Sequence, residues 1–220
     1  MSISQKNGPA TASEAPLVVV VEDEAPVRNA LSSLFRSVGY RVTAYAAPHD
    51  LLAEGVPEDA NCLVLDIRLP ITSGLDLQKQ LNDGQISIPI VFMTGHGDIQ
   101  MSVQAMKAGA VDFLAKPFRE QEMLDAVTAA IERDLQRREA DAGLADLRRR
   151  LQSLTPRERE ILELATAGMM NKQIAAELSV SEVTVKIHRG RVMQKMEARS
   201  IADLVRYAEA LGIRRQDGHQ

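Results

Sequence analysis

Five polar residues stand where apolar runs end, and their types belong together chemically. Glu22 and Asp23 follow the run Leu17-Val-Val-Val-Val21, Asp66 follows Cys62-Leu-Val-Leu65, Thr94 ends the run from Ile88 to Met93, and Lys116, with Pro117 after it, ends Val111 to Ala115. Three carboxylates gathered at one edge repel one another unless a cation neutralises them. A hard divalent ion with oxygen ligands, Mg2+ above all, does this while keeping several of its waters. A carboxylate ringed by such an ion, a hydroxyl and an ammonium is arranged to accept a phosphoryl group. Asp66 attacks phosphorus, while the ion, Thr94 and Lys116 balance charge on the equatorial oxygens. Any one of the five could simply cap the next helix, but capping does not account for all of them at the ends of strands 1, 3, 4 and 5.

The elements that must position these groups are legible as alternation. Strand candidates are Leu17 to Val21, Arg41 to Ala44, Cys62 to Leu65, Ile88 to Met93 and Val111 to Ala115. Between them lie helical patterns such as Val27, Leu31, Leu34 and Val38, stopped by Gly39. Strands apolar at every position fit a parallel sheet covered on both faces. The expected fold is a five-stranded, doubly wound α/β domain with its site at the carboxyl ends of the strands.

The chain has 220 residues with 26 Lys+Arg and 30 Asp+Glu, a net charge of −4. That balance is uneven. Residues 1–147 carry 12 basic and 21 acidic side chains, net −9, and residues 148–220 carry 14 and 9, net +5. At roughly 100 to 200 residues per domain, this reads as two domains with different partners. Cys62 is the single cysteine, so no internal disulfide or thiolate cluster can form. The longest apolar run, Leu17 to Val21, is far shorter than the roughly 18 residues of a membrane span. Residues 1–14 read as a flexible leader without a signal sequence, and the expected location is cytoplasmic.

From Glu120 to about Leu154 there is dense charge, no Pro, and one Gly, Gly143, which interrupts the pattern as a candidate hinge. This segment reads as a long exposed helix. Leu144, Leu147, Leu151 and Leu154 make a short a/d seam that suits a two-stranded coiled coil or packing on the chain's own domain, and the two remain equally open. Beyond it the pattern is all helical. Thr155, Pro156 and Glu158 form a capping box for a helix ending near Gly168. Lys172 to Leu178 is a second helix, Ser181 caps a third from Glu182 to about Met196, and a fourth runs from about Ile201 to Leu211. Two short helices joined by a tight turn make a helix-turn-helix.

On the third of these helices, Val185, His188, Val192 and Met196 share the inward stripe at about 100° per residue. The outward strip is Val183, Ile187, Gly190 and Gln194, flanked by Lys186 and Arg191. It suits the major groove: the cations for phosphates or guanine edges, Ile187 for thymine methyls, Gln194 for a base edge. His188 is expected in the core, and Arg189 makes a phosphate contact at most. Thr184 is either part of the cap or a phosphate ligand.

Val20-Val-Glu-Asp-Glu24, Leu65-Asp-Ile-Arg-Leu-Pro-Ile-Thr-Ser-Gly74, Met93-Thr-Gly-His96 and Asp112-Phe-Leu-Ala-Lys-Pro-Phe118 resemble the receiver domain of two-component response regulators. The resemblance implies that Asp66 is phosphorylated by a sensor histidine kinase. It also implies that Glu22, Asp23, Asp66 and the backbone carbonyl of Arg68 hold Mg2+, and that the Lys116-Pro117 bond is cis. Two residues depart from the family pattern: Glu22, where Asp is commoner, and Phe113 at the aromatic switch position, where Tyr is common. Haloacid-dehalogenase-like phosphatases also use a strand-end Asp nucleophile, but they need a second Asp two residues on, where this chain has Arg68.

Leu154-Thr-Pro-Arg-Glu-Arg-Glu, Asn171-Lys-Gln-Ile-Ala-Ala-Glu-Leu and Ser181-Glu-Val-Thr-Val-Lys-Ile-His resemble the LuxR-type helix-turn-helix, and the whole resembles the FixJ/NarL group of transcription regulators. DNA-contact candidates are Thr184, Lys186, Ile187, Gly190, Arg191 and Gln194. In that group the last helix pairs two DNA-binding domains, which makes Leu204, Val205, Ala208 and Leu211 dimerisation candidates, although the same stripe suits intramolecular core.

The implied organisation is a leader (1–14), a receiver (15–135), a helical linker (136–153), a helix-turn-helix domain (154–213) and a tail (214–220). Phosphorylation would draw in Thr94 and Lys116, shift the loop after strand 4 and the helix at 97–108, and promote homodimerisation and promoter binding. RNA polymerase is the further partner implied. The only enzymology expected is the receiver's own phosphoryl transfer and slow dephosphorylation. The rival expectation is a receiver that works unphosphorylated as a protein-interaction module.

Overall fold

The computed structural model describes residues 15–95 and 99–213. The leader, the tail and His96 lie outside the described residues. Those described divide into two compact units, parting between Arg137 and Arg138.

The first unit alternates strand and helix: β1 (Leu17–Val21), α1 (Ala25–Ser37), β2 (Arg41–Tyr45), α2 (Pro48–Glu54), β3 (Ala60–Asp66), α3 (Gly74–Asp83), β4 (Ile90–Thr94), α4 (Ile99–Lys107) and β5 (Asp112–Ala115), followed by α5 (Glu120–Gln152). All strand pairs are parallel, in the order β2-β1-β3-β4-β5. Every residue of β1, β3 and β4 is buried, as expected where helices cover both faces. Period-two alternation divides them. Leu17, Val19 and Val21 face one core with Leu63, Leu65, Leu77 and Phe92. Val18 and Val20 face the other with Val64, Leu31 and Phe35 of α1 and Met123, Val127 and Ile131 of α5.

The register brings the polar strand ends level. Val21 pairs with Leu65, Asp66 with Met93, and Thr94 with Ala115. The chain reverses its winding between β1 and β3, the point in an open sheet where the loops leave a crevice. Several strand boundaries differ from the sequence reading by one or two residues: β2 reaches Tyr45, β3 starts at Ala60 and includes Asp66, β4 starts at Ile90 and includes Thr94, and β5 starts at Asp112, with Lys116 just past its end.

α5 corrects two expectations. It runs unbroken through Gly143 for 33 residues, so that glycine does not interrupt the helix. Nor is the helix exposed throughout, because Met123, Ala126, Val127, Ala130 and Ile131 are buried against the sheet.

The second unit holds the end of α5, then α6 (Pro156–Thr166), α7 (Asn171–Glu177), α8 (Glu182–Lys195) and α9 (Ile201–Ala210). Two helices start as expected, with Thr155 and Glu158 in a capping box and Ser181 accepting from the Thr184 N–H, and α9 starts with a further box of Ser200 and Asp203 that the sequence reading did not name. Leu154 joins Leu162, Val192, Met196 and Leu204 in one core, with Leu147 and Leu151 packed against it. Most of the leucine seam is therefore used inside its own unit. Leu204 and Ala208, read above as dimerisation candidates, are buried, and Leu211 packs on the same core. Each of these larger side chains contributes about 1.5–3 kcal/mol by leaving water, which favours the core alternative for this stripe.

Candidate functional site

At the carboxyl edge of the sheet, Glu22, Asp23 and Asp66 each offer an oxygen, all within 4.8 Å of one another. Glu22 is fully buried and Asp66 nearly so, while Asp23 is open to solvent. The Lys116 ammonium enters between them and donates to Glu22 Oε2 and Asp66 Oδ2, each at 2.6 Å. The other Asp66 oxygen, Oδ1, accepts the Arg68 N–H at 2.8 Å, and Glu22 Oε1 accepts the Glu24 N–H at 3.3 Å. Both carboxylates are thus aimed by backbone donors on one side and by one shared cation on the other.

Burial pushes the Glu22 carboxyl above its ordinary range, and the Asp66 charge adds to this against the pull of Lys116. Burial acts to lower the Lys116 ammonium, but its bonds to Asp66 and Glu22 outweigh that and leave it raised. Lys116 stays charged. Three carboxylates against one ammonium leave uncompensated negative charge at a partly open edge, and these hard oxygens can hold a metal ion.

Backbone geometry fixes the rest of the rim. The Lys116 N–H donates to the Thr94 carbonyl at 2.7 Å, the Lys116-Pro117 bond is cis, and Thr94 is buried. The Gly74 N–H donates to the Ile67 carbonyl at 2.9 Å, so α3 starts hard against the end of β3. Phe113 is half-buried and packs on the first core.

The second site is the outer face of α8. Val185, Val192 and Met196 are buried, His188 is half-buried, and Val183, Lys186, Ile187, Gly190, Arg191 and Gln194 are exposed. The Thr184 hydroxyl lies 2.9 Å from Ser181 Oγ, which places it in the cap. Arg189 is turned aside to Asn171 Oδ1 at 2.7 Å and braces α7 against α8.

α8 is also clamped from below. Lys195 donates to the buried Glu158 at 2.7 Å and to the Ser153 carbonyl at 3.1 Å, and Arg150 reaches the Met196 carbonyl at 3.1 Å. Burial acts to raise the Glu158 carboxyl, but its bonds to Lys195 and to the Thr155 N–H outweigh it and hold it below the usual value of 4.5. A carboxyl lowered in the folded state adds stability above its unfolded value, and that stability disappears as pH falls through the folded value. The second unit is therefore expected to weaken below about pH 4.5, and Glu158→Gln to flatten that dependence. Urea unfolding of both forms at several pH values measures it, with parallel curves counting against the clamp.

The family comparisons cover both units. Residues 18–128 match the response regulator receiver domain, and residues 152–208 match the luxR family of bacterial regulatory proteins. The chain belongs to the response regulators. It is a transcription regulator of the two-component type, a receiver coupled to a LuxR-type DNA-binding domain. Nodulation protein W of Bradyrhizobium diazoefficiens is 54% identical over 208 residues, 94% of this chain and 92% of that protein. Transcriptional regulatory protein FixJ of Rhizobium meliloti is 44% identical over 197 residues, 89% of this chain and 96% of its own. The solved structure of the response regulator StyR is 48% identical with a TM-score of 0.80, covering 89% of this chain and 98% of that one. Among the described residues of this regulator, no helix is long and apolar enough to cross a membrane.

Two residues near the receiver site of the regulator escaped sequence reasoning. Arg28 donates to the carbonyls of Glu22 and Asp23 at 2.7 and 3.0 Å and so pins the β1–α1 turn. Its signal was a lone Arg in the first turn after the acidic pair. Ile71 stands wholly exposed at φ 72° in the β3–α3 loop, a left-handed conformation that costs a β-branched residue on the order of 1–3 kcal/mol. Nothing in its side chain announced that.

Proposed function

We propose that this regulator accepts a phosphoryl group on Asp66 from a sensor histidine kinase in the cytoplasm, and that phosphorylation promotes dimerisation and promoter binding. The observation that carries this is Lys116 bridging Glu22 and Asp66 at 2.6 Å inside a three-carboxylate cluster. Glu22, Asp23, Asp66 and the Arg68 carbonyl would hold Mg2+, which supplies charge neutralisation to the phosphoryl oxygens when bound. Asp66 is the nucleophile, Lys116 moves from carboxylate to phosphoryl oxygen, and the Thr94 hydroxyl meets the same group, drawing in the loop after β4. Phe113 follows that loop by packing alone, having no phenolic hydroxyl. The receiver's only catalysis is this transfer and the slow hydrolysis of the aspartyl phosphate, which releases inorganic phosphate and restores the carboxylate. A small phosphodonor with Mg2+ should raise the chain's mass by one phosphoryl group, located by peptide mapping to Asp66, whereas a modification elsewhere removes the assignment.

The working division is a receiver at 15–135, a linker at 136–153 and a DNA-binding domain at 154–213. In the last, α8 lies in the major groove with Lys186, Ile187, Gly190, Arg191 and Gln194 toward DNA, and RNA polymerase is the further partner. The exposure of these side chains supports this, as does the positive balance of residues 148–220. Thr184 serves the cap first, and of the α9 candidates only Val205 is neither fully buried nor assigned to the core. Lys186→Ala should weaken binding on all sequences alike and lower the slope of log affinity against log salt by about 1. Titrations at several salt concentrations read this, and an unchanged slope removes Lys186 from the phosphate contacts.

A further inference from the structure

Val183 and Ile187 are 68% and 52% exposed, two branched apolar side chains one turn apart on a helix face flanked by cations. They lie at i and i+4 on the outward strip of α8, between Lys186 on one side and Arg191 on the other. Val183 is in the first turn, the part of a recognition helix that reaches base edges. Farther along the strip, Gly190 leaves bare backbone, and a Cβ there would touch nothing within 4 Å. No packing inside the domain therefore requires a glycine, and the helix can settle deeply into a groove at that point. The only apolar group on the floor of the major groove is the thymine methyl.

We infer that Val183 and Ile187 together read two thymine methyls, so that the operator half-site carries two thymines about two base pairs apart. The spacing follows from the rise of roughly 6 Å over four helical residues against roughly 3.4 Å per base pair. The flanking Lys186 and Arg191 fix the helix to phosphates on either side, and the apolar pair supplies sequence preference. This inference rests on α8 entering the major groove and adds to it the chemistry that is read.

The test uses the full chain treated with a small phosphodonor and Mg2+, and duplexes selected from a random pool. The selected duplexes should share two such thymines in each half-site. Replacing either thymine by uracil, which removes only the methyl, should weaken wild-type binding about fourfold, the factor that burying one methyl-sized group corresponds to. Val183→Ala should become indifferent to uracil at one position and Ile187→Ala at the other, while Lys186→Ala loses affinity but keeps both sensitivities. Both apolar residues are exposed, so their truncation leaves the core intact. Strong selection without thymine dependence, or a Val183→Ala protein still sensitive at both positions, overturns the inference and leaves DNA binding standing. No enrichment of any sequence overturns both.

Discussion

Asp66→Asn is expected to abolish the phosphodonor-dependent gain in mass and, with it, phosphodonor-dependent dimerisation. The amide keeps the shape of the carboxylate and can still accept the Arg68 N–H through Oδ1. What it loses is the negative oxygen that attacks phosphorus and the ion pair to Lys116 at 2.6 Å. The variant should fold, because one of three mutually repelling carboxylates has been neutralised while Lys116 retains its 2.6 Å bond to the buried Glu22. Intact-mass measurement and light scattering on an eluting column, each with and without phosphodonor in the presence of Mg2+, read the two effects separately. A variant that dimerises fully under phosphodonor would refute Asp66 as the acceptor that controls assembly.

Gly74→Ala is the substitution expected to damage the receiver most for the fewest atoms. A Cβ at this position would lie well inside van der Waals contact of the Asp66 carbonyl oxygen and 3.0 Å from Ile67 Cα. Both neighbours are backbone at the end of β3, so no side chain can swing aside. Overpacking of this kind costs about 1–3 kcal/mol, and relief requires α3 or the end of β3 to move, carrying Asp66 away from Lys116. Elsewhere at a helical position the same change gains up to about 1 kcal/mol, so the sign is informative. Urea unfolding should show lower stability and the mass assay slower phosphorylation. A stabilised variant phosphorylated at the wild-type rate would show that the close approach is absent.

The acidic site was legible because parallel strands write their own ends into the sequence. A strand buried on both faces is apolar until it leaves the sheet, so the first polar residue after each run marks the carboxyl edge. Glu22, Asp66 and Lys116 meet there, with Thr94 at the same edge, because the register levels those ends. The strand boundaries shift by one or two residues, as where β3 takes in Asp66 and β4 takes in Thr94, because the first polar residue can still pair as the last of its strand. Caps were legible for a similar reason: the Thr155–Glu158 box is a local pairing that needs no distant partner. Arg28 was missed because its acceptors are backbone carbonyls, which every residue carries and which leave no trace in side-chain types.

By itself, the sequence determined the order of the elements, the kind of chemistry at the sheet edge and the charge of the two halves. These depend on period, on caps and on residue type, all local in the chain. Tertiary structure alone decided which apolar surface covers which. Leu147, Leu151 and Leu154 could have met a second helix, and Leu204 and Ala208 a second copy; in the fold they close on Leu162, Val192 and Met196 or are buried within the same unit. Hydrophobic attraction has no direction and scales with area, so a stripe states that it must be covered and not by what. The Lys195–Glu158 clamp belongs with these, since two charged residues 37 positions apart become partners only when packing brings their helices together.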